Sequence, residues 1–111
     1  MAGETHTSSS ADVGTLALLP LPRVSRLSAL QARGAACVWC QTRLTIETAV
    51  DLGERPGPGG VTVFPRGCDS CARGLADRMY RIHVASCRAC LRNTHCIDRT
   101  GLRRLASEGT P

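Results

Sequence analysis

Lysine is absent from this chain of 111 residues, and all 14 basic positions are arginine. Aromatic residues make up 3%, namely Trp39, Phe64 and Tyr80. A chain so poor in large rings cannot bury much apolar surface. Small domains in that position draw stability from a disulfide, a metal or an oligomer instead. Long apolar runs are missing too. The stretch Thr15–Leu21 is short and interrupted by Pro20 and followed by Pro22, and the acidic-leaning start has no basic cluster. Neither a membrane span nor a signal peptide fits that pattern. Hydrolytic constellations are likewise wanting. The nine acids are scattered, and Gly57-Pro58-Gly59-Gly60 lacks the lysine and hydroxyl of a phosphate loop. The sequence therefore carries no catalytic arrangement and no pattern for a small-molecule substrate.

What the chain has instead is cysteine. Seven is an odd number, which argues against a closed set of disulfides and for a reducing, cytoplasmic setting in which thiols hold metal. The length accommodates one domain. Met1 to about Leu19 reads as a disordered start, and Val24, Leu27 and Leu30 suggest a short helix over Val24–Arg33 ended by Gly34. Residues 1–34 thus form a flexible arm, 35–107 a folded domain and 108–111 a tail. Within the domain, alternation from Leu44 to Leu52 predicts a strand, GERPGPGG a turn, and Val61–Phe64 the returning strand. A helix then opens at Cys68–Cys71 and runs to His83 or beyond, with Leu75, Met79 and Ile82 on its apolar face. Asp98–Ala106 predicts a last helix, contacting through Leu102 and Leu105.

Cys37-x₂-Cys40 precedes the hairpin and Cys68-x₂-Cys71 follows it. Two intervening residues let both sulfurs of a pair reach one tetrahedral ion at about 2.3 Å. A helix N-terminus at the second pair favours thiolate. The remaining candidates are His83, Cys87, Cys90 and Cys96, spaced H-x₃-C-x₂-C-x₅-C. His83 and Cys87 share a face if the helix continues. His95 competes with His83 but adjoins Cys96, where two neighbours reach one ion less comfortably; a solvated loop residue is its plainer role. Seven cysteines and one histidine then fill two four-coordinate sites with none left over. Two zinc ions are the expected cofactors.

The order of knuckle, hairpin and helix-borne second pair resembles the treble-clef zinc fold over Cys37 to about His83, and a zinc ribbon would use the same four cysteines. The implied fold is a small α+β, metal-stabilised domain. As a whole, the chain is similar to the small cysteine-rich zinc proteins of actinobacteria. A second resemblance competes. Cys71-x₁₅-Cys87-x₂-Cys90-x₅-Cys96 looks like the cysteine pattern of WhiB-like iron–sulfur regulators, which would imply a cluster at those four residues and a DNA-binding basic tail. That assignment leaves Cys37, Cys40 and Cys68 without a site.

Charge is uneven. Nine arginines lie between Arg66 and Arg104 against three acids, whereas the first 65 residues balance. An anionic partner such as nucleic acid would meet Arg73, Arg78, Arg81, Arg88 and Arg92, with Arg103 and Arg104 nearby. Metal tempers this. Seven thiolates subtract seven charges from the formal +5 and two Zn²⁺ restore four, leaving +2. A solvated arginine face is the plain alternative. A protein partner docking on the leucine-rich stretch Leu16–Leu30 is the other expectation.

Overall fold

The computed structural model describes residues 14–109, so residues 1–13 of the disordered start expected to about Leu19, and residues 110–111 of the tail, lie outside it; residues 14–16, by contrast, form a helical turn and Leu19 is buried. The chain has mixed α and β structure, with two small antiparallel sheets and several helices. Contacts divide it into two units. Pro20–Ala72 forms one; the described residues up to Leu19, with those from Arg73 onward, form the other.

In the first unit the expected helix over Val24–Arg33 is broken in two. A 3₁₀ turn spans Val24–Arg26, and α1 covers Ala29–Ala32. Ser28 causes the break. Its hydroxyl accepts the Gln31 amide at 3.2 Å, and its own amide donates to Gln31 Oε1 at 2.8 Å. This capping box satisfies the amides of a new helix start and so restarts the helix rather than continuing it. Gly34, with φ +79°, stops α1, and a Cβ there would sit 2.8 Å from the Phe64 carbonyl oxygen. Residues 20–34 are therefore part of a folded unit, not of a free arm: Gln31 is only 7% exposed.

The strands are shorter than expected and pair in two steps. β1 (Ala49–Asp51) pairs with β4 (Arg66–Cys68), setting Ala49 opposite Cys68 and Val50 opposite Gly67. β2 (Arg55–Pro56) pairs with β3 (Thr62–Val63). Residues 45–48 form a turn where the alternating pattern predicts strand. The Thr45 and Thr48 hydroxyls lie 3.1 Å apart and bond each other's backbone amides, which offers the chain a local alternative to the ladder. Ile46, freed from the pattern, is 88% exposed. Val50, Leu52, Val63, Pro65, Cys37 and Val38, with the small Ala36 and Ala72, supply the buried apolar side chains.

The second unit is helical. α2 (Asp69–Ser86) begins at the end of β4, and the division between units falls within it, at Arg73. α3 (Arg88–Leu91) is a single turn, and α4 covers Ile97–Glu108. Arg73 donates to the carbonyls of Ala106 and Ser107, while His83 lies 3.1 Å from Cys96. These contacts are ten residues apart on both helices, so α2 and α4 run antiparallel. The apolar face differs from expectation. Ala76 is fully buried, Leu75 and Met79 are half-buried, and Ile82 is 53% exposed. Small side chains allow close approach here. On α4, Leu102 and Leu105 are buried, as the spacing predicts. Gly101 is required for packing, since a Cβ there would run into the Thr15 side chain.

Gly67 has the same role in the first unit. It lies against the Trp39 ring, and an added Cβ would collide with it. Gly67→Ala is expected to lower the thermal midpoint of the protein through overpacking of about 1–3 kcal/mol. Thermal unfolding followed by circular dichroism measures the shift.

Candidate metal centres

Cys37 and Cys40 are held by a tight turn. The Cys37 amide donates to Thr42 O at 2.8 Å and the Gln41 amide to Cys37 O at 2.9 Å. Gln41 closes the turn in the left-handed region, φ +66°, and Ala36 bridges to Arg43. The knuckle is anchored from both sides. Val38 donates to Arg66 O on β4, and the Gln31 amide nitrogen donates to Cys37 O at 3.1 Å and Val38 O at 3.2 Å. Cys68 ends β4 and Cys71 sits in the first turn of α2, so a strand–helix junction supplies the second pair.

The four sulfurs lie within 4.8 Å of one another. Cys40 and Cys68 are 3.8 Å apart. Two sulfurs on a tetrahedral ion, each bonded at about 2.3 Å, are separated by about 3.8 Å. Backbone amides aim at the sulfurs: Trp39 and Cys68 donate to Cys37 Sγ at 3.4 and 3.3 Å, and Cys71 donates to Cys68 Sγ at 3.4 Å. Such donors stabilise thiolate.

Electrostatics shows what the set demands. The Thr42 hydroxyl, 3.1 Å away, and then the Thr42 backbone pull the Cys40 thiol down to about 6. Burial pushes Cys68 up, and burial with the neighbouring Cys68 and Cys40 sulfurs pushes Cys71 far above the ordinary thiol range. Burial and the neighbouring sulfurs thus oppose ionisation of Cys68 and Cys71. A divalent cation among the four sulfurs reverses that opposition and deprotonates the set.

The second group is His83, Cys87, Cys90 and Cys96, again within 4.8 Å. It sits where α2 turns into α4. His83 is one turn from the end of α2, Cys87 caps α3, Cys90 lies within α3, and Cys96 caps α4. His83 Nε2 approaches Cys96 Sγ to 3.1 Å, closer than the roughly 3.6 Å an ideal tetrahedron sets for nitrogen and sulfur. The Cys90 amide holds Cys87 low, whereas desolvation and the thiols of Cys87 and Cys96 push Cys90 up. Each set thus holds one thiol pulled low, Cys40 or Cys87, beside thiols pushed up: Cys68 and Cys71 in the first set, Cys90 in the second.

The structure thus brings together Cys37, Cys40, Cys68 and Cys71, and separately His83, Cys87, Cys90 and Cys96. His95 is exposed and belongs to neither group. Cys71 is grouped with the first three cysteines, away from the set that an iron–sulfur pattern would give it. All seven cysteines are free thiols. Of the arginines, Arg78, Arg81, Arg88 and Arg92 are exposed, with Arg81 in an ion pair to Asp77 at 3.1 Å. Arg73 differs. Its guanidinium is spent on the last carbonyls of α4.

Two supporting residues escape a reading by ligand spacing. Ser28-x-x-Gln31 is legible as a helix start, yet the Gln31 side chain reaches across to the knuckle carbonyls. Thr42 is two residues past Cys40 and carries no ligand signature. No family model matches the chain, and neither a curated protein nor a solved structure is significantly similar to it.

Metal analysis separates the two histidines. His83→Ala is expected to lose one of two metal equivalents by elemental mass spectrometry, and His95→Ala to retain both. Equal loss in the two variants would contradict the geometry of the second group.

Proposed function

We propose that the chain is a zinc-binding interaction module whose two centres, Cys37/Cys40/Cys68/Cys71 and His83/Cys87/Cys90/Cys96, are structural. The observation that carries this reading is the completeness of the two donor sets. Seven cysteines and one histidine divide into two groups of four with none left over. Sets of four thiolates, or of three with an imidazole, suit the size, softness and tetrahedral preference of Zn²⁺. Each would be saturated by protein ligands. No position remains for a substrate or a reactive water, so the reading assigns the metal no catalytic role.

The treble-clef resemblance supports the same conclusion for the first centre. A knuckle, an antiparallel ribbon and the first turn of a helix come in that order around the four sulfurs. Binding to such sets is folding free energy, because the unfolded chain offers no assembled site. The uneven arginines and the paucity of catalytic groups then favour a role in recognition, with nucleic acid or a protein as the partner. The thiols imply a reducing compartment such as the cytoplasm. Among the described residues no helix is long and apolar enough to cross a membrane.

Protein purified without oxygen is expected to carry two zinc ions per chain and to be colourless. Cobalt in place of zinc is expected to give intense thiolate-to-metal absorption at both centres. Iron, with broad absorption near about 400 nm, would overturn the zinc assignment in favour of a cluster. Lowering the pH releases the metal as protons compete for the thiolates. Cys40→Ser and Cys71→Ser are each expected to unfold the first unit, seen as lost amide dispersion and one missing metal equivalent.

A further inference from the structure

Residues of α4 and Tyr80 of α2 together line a cleft of about 400 Å³. Arg99, Arg103 and Arg104 line it, together with Glu108. Helical periodicity explains the grouping. Arg103 and Arg104 fall on the arc away from the buried Leu102 and Leu105 and are exposed, while the half-buried Arg99 flanks that arc about 60° from Leu102. Arg99 and Arg103 are one turn apart, with about 6 Å between their Cβ atoms.

The donors of this cleft are cationic. The Thr100 hydroxyl already donates to Cys96 O at 3.1 Å, and the Ser107 hydroxyl to Arg103 O at 2.8 Å. Arg99 spends one N–H on Thr94 O at 3.0 Å, which fixes its direction and leaves its other donors available. The Arg103 and Arg104 guanidiniums have no hydrogen bond or ion pair among the described residues. Three separated guanidiniums suit successive phosphates better than one compact anion. A half-buried tyrosine ring beside them adds a flat surface for a base or a sugar.

We propose that this cleft binds the phosphate backbone of single-stranded nucleic acid, with Arg99, Arg103 and Arg104 on phosphates and Tyr80 against a base. The proposal rests on the interaction reading above and names its partner and its surface. Neither Arg99 nor Tyr80 was among the contacts expected from sequence. Charge counting along the chain singles out clusters, and does not show that α4 and Tyr80 of α2 face one cleft.

The test uses the full, zinc-loaded chain and a fluorescein-labelled oligothymidylate of about 12 nucleotides, with anisotropy read at several salt concentrations. Arg103→Gln and Arg104→Gln are each expected to weaken binding several-fold and to reduce the salt slope by about one. Arg104→Lys is expected to retain the slope. Tyr80→Leu is expected to weaken binding at least about fivefold with the slope unchanged. Arg43→Gln, an exposed arginine of the other unit, is expected to bind as the parent does. Unchanged affinity in the cleft variants overturns the proposal, as does tighter binding to duplex with Tyr80→Leu neutral. Zinc content is measured on every sample. Two zinc ions without oligonucleotide binding would overturn the cleft and leave the zinc reading standing; binding by a chain free of zinc would do the reverse.

Discussion

The crowding of four candidate metal donors in each unit is the constraint on which the rest of the structure depends. Four donor atoms within 4.8 Å, twice over, form an arrangement that a chain would not keep for its own sake. Each ionised sulfur makes the next ionisation harder, and each neutral thiol packs no better than a small apolar group. A cation at the centre turns the same crowding into attraction. The apolar core that surrounds these sets is slight. Its largest fully buried side chains are Leu102, Pro65 and Cys37, and one of those three is itself a ligand candidate. With so little large apolar surface to bury, a metal at each donor set would carry a large share of the stability.

The supporting structure follows from that demand. In the first unit, backbone amides of Trp39, Cys68 and Cys71 point at sulfur, and Gln31 secures the carbonyls behind the knuckle. In the second, Arg73 fixes one end of the α2–α4 pair by satisfying carbonyls at the end of α4, where a positive charge also meets the negative end of the helix dipole. At the other end His83 meets Cys96, and a metal bound by the histidine and three cysteines would fasten the pair there. A helical hairpin pinned at both ends needs less apolar seam between them, which fits the exposed Ile82 and the buried, small Ala76.

Much of the candidate site was legible because ligand spacing is local: C-x₂-C and H-x₃-C constrain which side chains can converge whatever the rest of the chain does. The α+β character and α4 were legible for a similar reason, in the alternation and helical spacing of their apolar residues. Misreadings arose where short polar side chains compete with regular structure. Thr45 and Thr48 bond locally and dissolve half of the expected strand, and Ser28 restarts a helix that apolar spacing alone would continue. Long-range roles were illegible. Nothing in the neighbourhood of Gln31 indicates that it reaches Val38, and nothing around Arg73 that its guanidinium is already engaged. The division at Arg73 was invisible too, since it falls inside one continuous helix.

The chain has a single tryptophan and a single tyrosine, one in each unit. Trp39 sits between two cysteines of the first set, lies against Gly67 beside a third, and donates its indole N–H to Pro20 O at 2.9 Å. Its emission is therefore exposed to quenching by neighbouring sulfur and to any loosening of the knuckle, while Tyr80 belongs to the helical unit. Fluorescence excited selectively at tryptophan is thus a natural optical gauge of one centre alone. The state of the other has to be followed by a different chromophore.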